Sequence, residues 1–203
     1  MRSTGTVPIL CGLLAVAAGL ASEAPLAAQQ PPAHLNKMVR LLAQGKVVFG
    51  SFADDRSPDG AARIARDPNL DFIFYDMEHS PFDIPGMRVF LQFLLDPAAI
   101  ARNGGRGEDH PVLVRIPANG REMNQWMIKN ILDQGAHGIV VPHVETAEQA
   151  LNVVRAMRYP QTPGAPDAEP AGQRGSGPGN AIRYWGVSRD DYQARADLWP
   201  LDP

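Results

Sequence analysis

The chain has 203 residues with 22 acidic against 19 basic side chains, a net charge of −3. That length is enough for one domain with a real core. The mild negative charge, with no basic cluster, argues against a nucleic-acid surface.

The N-terminus has the layout of an export signal. Arg2 supplies a positive start, residues 9–21 are apolar, and small residues lead to Ala27-Ala28-Gln29. The apolar run is too short for a comfortable membrane span. Cleavage after Ala28 is expected, making residues 1–28 a signal peptide and placing the mature protein in the periplasm or outside the cell, with no membrane attachment. An uncleaved anchor is the competing reading; without a working signal the protein would be cytoplasmic. Cys11, the one cysteine, lies inside this segment and before most of its apolar core, unlike a lipoprotein cysteine. The mature chain then has no disulfide, no thiolate metal site and no thiol nucleophile.

Residues 29–34 form a polar linker. Leu35, Met38, Val39 and Leu42 recur at helical spacing, and Gly45 ends that helix. Residues 46–52 read as the first strand, and Ser57-Pro58 opens a helix carrying Ala61, Ile64 and Ala65. Residues 72–75 are continuously apolar, as in a strand buried on both faces of a parallel sheet. Asp83 can cap the next helix, lined by Met87, Phe90, Leu91 and Leu94. A polar loop over 97–109 leads to a strand over 112–116, ended by Pro117. Met127, Ile128, Ile131 and Leu132 mark a helix, and 138–141 a fourth strand ended by Pro142. Thr146 and Gln149 make a capping box for a helix with Ala147, Ala150, Leu151 and Val154. Four strand-then-helix units in series predict an α/β chain with a parallel sheet or barrel.

The character then changes. Residues 160–180 hold five Gly and five Pro without apolar periodicity, which predicts a long loop. A short helix is expected around 190–196, and Trp199 to Pro203 has the look of an approach to another strand.

Three strand ends carry polar groups: Asp76, Glu78 and His79 on the second, Arg115 on the third, His143 and Glu145 on the fourth. The C-terminal ends of parallel strands are where α/β proteins place chemistry. His79 can move protons near neutral pH, and Asp76, three residues earlier, could hold its imidazole in one tautomer. Arg115 is a fixed fork for a carboxylate or an enolate oxygen. A base beside such a fork suits proton abstraction next to a carbonyl. Equally, Arg115 could be an ion-pair partner of Asp76 or Glu78, and His79 could cap a loop beside solvated acids. Asp133-Gln-Gly135 reads as a helix end, Glu145 as an acid suited to a helix start, and His34, His110 and His137 as surface residues. The Arg174-Gly-Ser-Gly-Pro-Gly179 run does not lead from a strand into a helix, so a mobile or substrate-covering loop is preferred over a phosphate cradle.

Taken together, the motifs resemble the HpcH/HpaI aldolase/citrate lyase family, the class II pyruvate aldolases of the 4-hydroxy-2-oxoheptanedioate type. The matching pieces are Gly50-Ser-Phe, Asp76-Met-Glu-His79, Val114-Arg-Ile-Pro117, Leu132-Asp-Gln-Gly135, Val141-Pro-His-Val144, Arg158-Tyr-Pro160 and Arg174-Gly175. Seven pieces in order are specific where any one is weak. The resemblance implies a (β/α)8 TIM barrel, assembly into homo-oligomers, and metal-dependent retro-aldol cleavage of a 4-hydroxy-2-oxo acid to pyruvate and an aldehyde. It implies a divalent cofactor (Mg, Mn or Co) holding a small 2-oxo acid. By the match His79 is the catalytic base, Asp76 its orienting partner, Arg115 the group polarising the carbonyl, and Asp133 an acid reaching a neighbouring subunit's site. Three departures stand out: residues 160–172 are longer than the usual turn, export is unusual for the family, and its metal-binding Glu and Asp end the fifth and sixth strands. The expectation is therefore four of eight β/α units, no metal ligated by this chain alone, and no turnover by it alone. An exported, non-catalytic binder of a small carboxylate is the alternative.

Overall fold

The computed structural model describes residues 35–102, 110–165 and 168–196. The expected signal peptide, the 29–34 linker with His34, and the expected approach to a further strand over Trp199 to Pro203 lie outside the described residues.

Alternation of side chains along β2 (Phe72–Asp76) organises the sheet. Ile73 and Tyr75 point to one face and are almost fully buried, as are Val112 and Val114 of β3 (Val112–Arg115). That face packs on α3 (Ile84–Leu94) and α5 (Gln125–Gln134), through Met87, Phe90, Leu91, Leu94, Ile128 and Ile131. Both helices match the predicted periodicity, and their starts and stops have local causes. Asp83 accepts a hydrogen bond from the Gly86 N–H at 2.9 Å, while Gly135, at φ 116°, ends α5 in a left-handed turn. Ser57 caps α2 (Pro58–Ile64), and Thr146 and Gln149 complete the capping box of α6 (Ala147–Met157).

Four parallel strands pair in chain order, β1 (Gly50–Phe52), β2, β3 and β4 (Gly138–Val140). A doubly wound sheet would reverse its strand order. Sequential order with a helical crossover after each strand is that of a (β/α)8 barrel, of which four units are present among the described residues. The register places Phe52, Phe74, Leu113 and Gly138 in one row on the opposite face, with Asp76, Arg115 and Val140 in the row above. A Cβ on Gly138 would stand 2.6 Å from Leu113 Cδ2, so the small residue lets that row close up. This face is an apolar floor beneath a charged rim.

Several expectations need correction. Strand β1 is shorter than 46–52 because its partner begins at Phe72, opposite Gly50; Val47 and Phe49 lie beyond the ladder and are exposed. Residues 97–102, read as loop, form helix α4 (Pro97–Arg102), capped by Asp96 onto the Ala98 N–H at 3.0 Å. Helix α7 (Gly179–Trp185) begins inside the Gly/Pro-rich stretch, and α8 (Arg189–Ala196) falls where a helix was expected. Helix α1 (Lys37–Ala43) precedes the sheet. His110 is not a surface residue: it is buried, with Nε2 2.9 Å from the Asp67 carbonyl. His137 is half-buried, accepts the Val112 N–H at Nδ1 and stacks on Trp185.

Candidate active site

The ladder sets Asp76 directly opposite Arg115 at the C-terminal edge of the sheet. Arg115 donates from Nε to Asp76 Oδ1 at 2.8 Å and from Nη2 to Oδ2 at 2.7 Å, a bidentate pair. Asp76 also accepts the backbone N–H of Glu78 at 2.9 Å and that of His79. The guanidinium, helped by these amides against the cost of burial, holds the Asp76 carboxyl down at about 2. The same pair raises the affinity of Arg115 for its proton.

Glu78 joins the pair from above. Its Oε2 lies 3.2 Å from Arg115 Nη1 and 3.4 Å from His79 Nε2, and its Oε1 lies 3.7 Å from His143 Nε2. The acid is nearly buried, with 13% of its side chain exposed, whereas the His79 and His143 side chains are 70% and 65% exposed. Two imidazoles open to a ligand therefore flank one fixed carboxylate. The expected contact between Asp76 and the His79 ring is not the one formed. Asp76 is committed to Arg115 and to backbone amides, so the acid beside the ring is Glu78, and Asp76 reaches His79 through its main chain.

The ion-pair reading of Arg115 also holds, with both acids. A guanidinium has five N–H groups, and three nitrogens here each face an acid, leaving hydrogens on Nη1 and Nη2. Balanced by two carboxylates, such a fork suits the partial charge of a carbonyl oxygen better than another full carboxylate.

His143 has φ 59°, a left-handed conformation uncommon outside glycine. The β3–α5 loop pins it there: a Cβ on Gly120 would sit 1.8 Å from the His143 carbonyl oxygen. Asn119, buried, holds that loop by bonding both the N–H and the carbonyl of Asn124. Glu145 instead forms an exposed pair with Arg121 at 3.1 Å. Asp133 belongs to a separate cluster, where Arg174 donates to it at 2.6 Å while lying 4.5 Å from the Tyr159 ring centroid.

Among the described residues no group of three or more His, Asp or Glu side chains is gathered to hold a metal ion. Both rim carboxylates already balance Arg115, so these residues do not fit a cation site.

A family model for HpcH/HpaI aldolase/citrate lyase matches residues 49–165, which contain the whole rim cluster. The chain belongs to that family. It is 35% identical over 146 residues to the hydroxypyruvate/pyruvate aldolase of Roseobacter denitrificans, covering 72% of this chain and 47% of the relative. It is 33% identical over 165 residues to the 4-hydroxy-2-oxovalerate aldolase of Novosphingobium aromaticivorans, covering 81% and 53%. The crystal structure of an HpcH/HpaI aldolase from Desulfitobacterium hafniense superposes with a TM-score of 0.56 at 26% identity, covering 78% of this chain and 52% of that one. The chain thus spans about half the length of the curated relatives it matches.

Proposed function

We propose that this family member works as a carbon–carbon lyase, cleaving a 4-hydroxy-2-oxo acid to pyruvate and an aldehyde. The Arg115–Asp76–Glu78–His79 cluster on one sheet edge carries the reading. In retro-aldol cleavage the C4 hydroxyl loses its proton, the C3–C4 bond breaks, and its electron pair passes into the C2 carbonyl as an enolate. His79, exposed beside Glu78, takes the hydroxyl proton, and the carboxylate steadies the imidazolium formed. The Arg115 hydrogens not taken up by the two acids meet the carbonyl oxygen as charge develops there. Asp76 fixes the fork from behind. The His79 imidazolium then returns a proton to C3, which yields pyruvate and restores the base. The divalent cation (magnesium, manganese or cobalt) implied by the family resemblance would be held by carboxylates other than Asp76 and Glu78, which already balance Arg115.

Export by residues 1–28 and assembly into a homo-oligomer belong to the same proposal. In that assembly Asp133, held by Arg174, faces a neighbouring subunit. The alternative of a carboxylate-binding protein is less favoured, because the Arg115 charge is already balanced by two acids. The test is cleavage of 4-hydroxy-2-oxo acids in the presence of magnesium or manganese, alongside exchange of pyruvate methyl protons with deuterated water. His79→Ala is expected to lower both rates by about two orders of magnitude. Both rates are read in protein carrying all eight β/α units, because the four units alone are proposed to be inactive. Near-wild-type turnover of His79→Ala there would remove His79 from the mechanism, and an inert eight-unit wild type would defeat the lyase reading.

A further inference from the structure

Arg56 lies in the loop after β1, outside every motif that marks the rim. Its Nη2 donates to the Asp76 carbonyl at 2.6 Å and to the Ser80 hydroxyl at 2.8 Å, while Nε donates to the Ala53 carbonyl at 3.2 Å. The guanidinium also lies 4.5 Å from the Tyr75 ring centroid. Asp76 and Ser80 are the two ends of the turn that presents Glu78 and His79. On the strand side the turn is anchored by the Met77 N–H, bonded to the Arg115 carbonyl at 2.7 Å. On the helix side the next anchor is the Asp83 cap. Arg56 joins both ends of the intervening segment to the neighbouring β/α loop with one rigid group.

We propose that Arg56 is a positioning residue, fixing the 76–80 turn so that Glu78 and His79 stay over the Arg115 fork. The inference rests on reading this rim as the reacting edge. Three acceptors and an aromatic face around one side chain match a planar fork with donors at set angles. An ammonium could satisfy one or two of those acceptors without the ring contact. If Arg56 served only general stability, its loss would spread over the whole sheet. If it holds the turn, the loss is local.

The experiment is amide hydrogen exchange on the full chain for wild type, Arg56→Met, Arg56→Lys and Ser80→Ala. Met keeps the apolar stem, and Ser80→Ala removes a single acceptor without touching the arginine. In Arg56→Met the Glu78 and His79 amides are expected to exchange about tenfold faster or more, with the Ile73 and Val114 amides unchanged. Arg56→Lys and Ser80→Ala should fall between. Unchanged exchange at Glu78 and His79, or an equal rise at Ile73 and Val114, would overturn the proposal. In the pyruvate proton-exchange assay, run in protein carrying all eight β/α units, Arg56→Met should lower the rate at saturating pyruvate and leave the half-saturating concentration alone, since Arg56 supports the turn from behind. An eight-unit wild type with no proton exchange would count against the lyase reading, while the amide measurement would still decide the role of Arg56.

Discussion

Replacing Asp76 by Asn keeps the shape of the side chain and removes its charge from the centre of the rim. The Asp76 carboxyl is held at about 2 against an ordinary 3.8, a difference worth roughly 2 kcal/mol of folding stability at neutral pH. Little discount for screening is needed, because the Asp76 and Arg115 side chains are only 11% and 23% exposed. The loss stays below the 3–5 kcal/mol typical of a broken buried pair, since Glu78 remains 3.2 Å from Arg115 to share its charge. The sign follows from the direction of the shift. A depressed carboxyl stabilises the fold above its unfolded value and ceases to do so as pH falls through its folded one. The gap between wild type and Asp76→Asn should therefore be full at pH 5 to 7, shrink below about pH 4 and close near pH 2. Urea unfolding followed by circular dichroism at several pH values measures it, as a midpoint lowered by about 1 M at pH 7. Equal midpoints at pH 7, or a gap that persists undiminished to pH 2, would refute the account of the Asp76–Arg115 pair.

Other outcomes follow from the same contacts. Gly120→Ala should cost about 1–3 kcal/mol, because its Cβ meets the His143 backbone; Gly138→Ala should cost less, since the Leu113 side-chain tip can rotate away, and urea midpoints compare the two. Arg174→Met leaves Asp133 without its 2.6 Å donor and should lower stability by about 3 kcal/mol, with Asp133→Asn in the same background recovering part of it in a double-mutant cycle. N-terminal sequencing of the protein from its native host should begin at Gln29, and an intact Met1 on soluble cytoplasmic protein would sink the export proposal.

Much of this architecture is written in local patterns. The apolar run at 72–75, the 3.6-residue periodicity of α3, α5 and α6, and the caps at Ser57, Asp83 and Thr146 depend on near neighbours in the chain, so they could be read without coordinates. The short helices α4 and α7 could not, because a single turn or two carries too little periodicity to outweigh the Pro and Gly around it. The burial of His110 was hidden for a related reason: its partner, the Asp67 carbonyl, is 43 residues away and has no side-chain signature.

At the rim, the sequence by itself determined which chemical groups arrive at the ends of the strands, because a strand's length and its terminating Ser-Pro or Pro position the next polar residues. Asp76, Glu78, His79 and Arg115 were all visible that way. Their pairing was settled by the tertiary structure alone. The β2–β3 register sets Asp76 opposite Arg115, and once a bidentate pair with backbone amides has filled the Asp76 carboxylate, only Glu78 remains to face the His79 ring. Arg56 left no trace in any motif, because two of its acceptors are backbone carbonyls, which every residue type supplies alike. Contacts between side chains and distant main chain are decided by how the strands align in space, and that alignment is a property of the sheet as a whole.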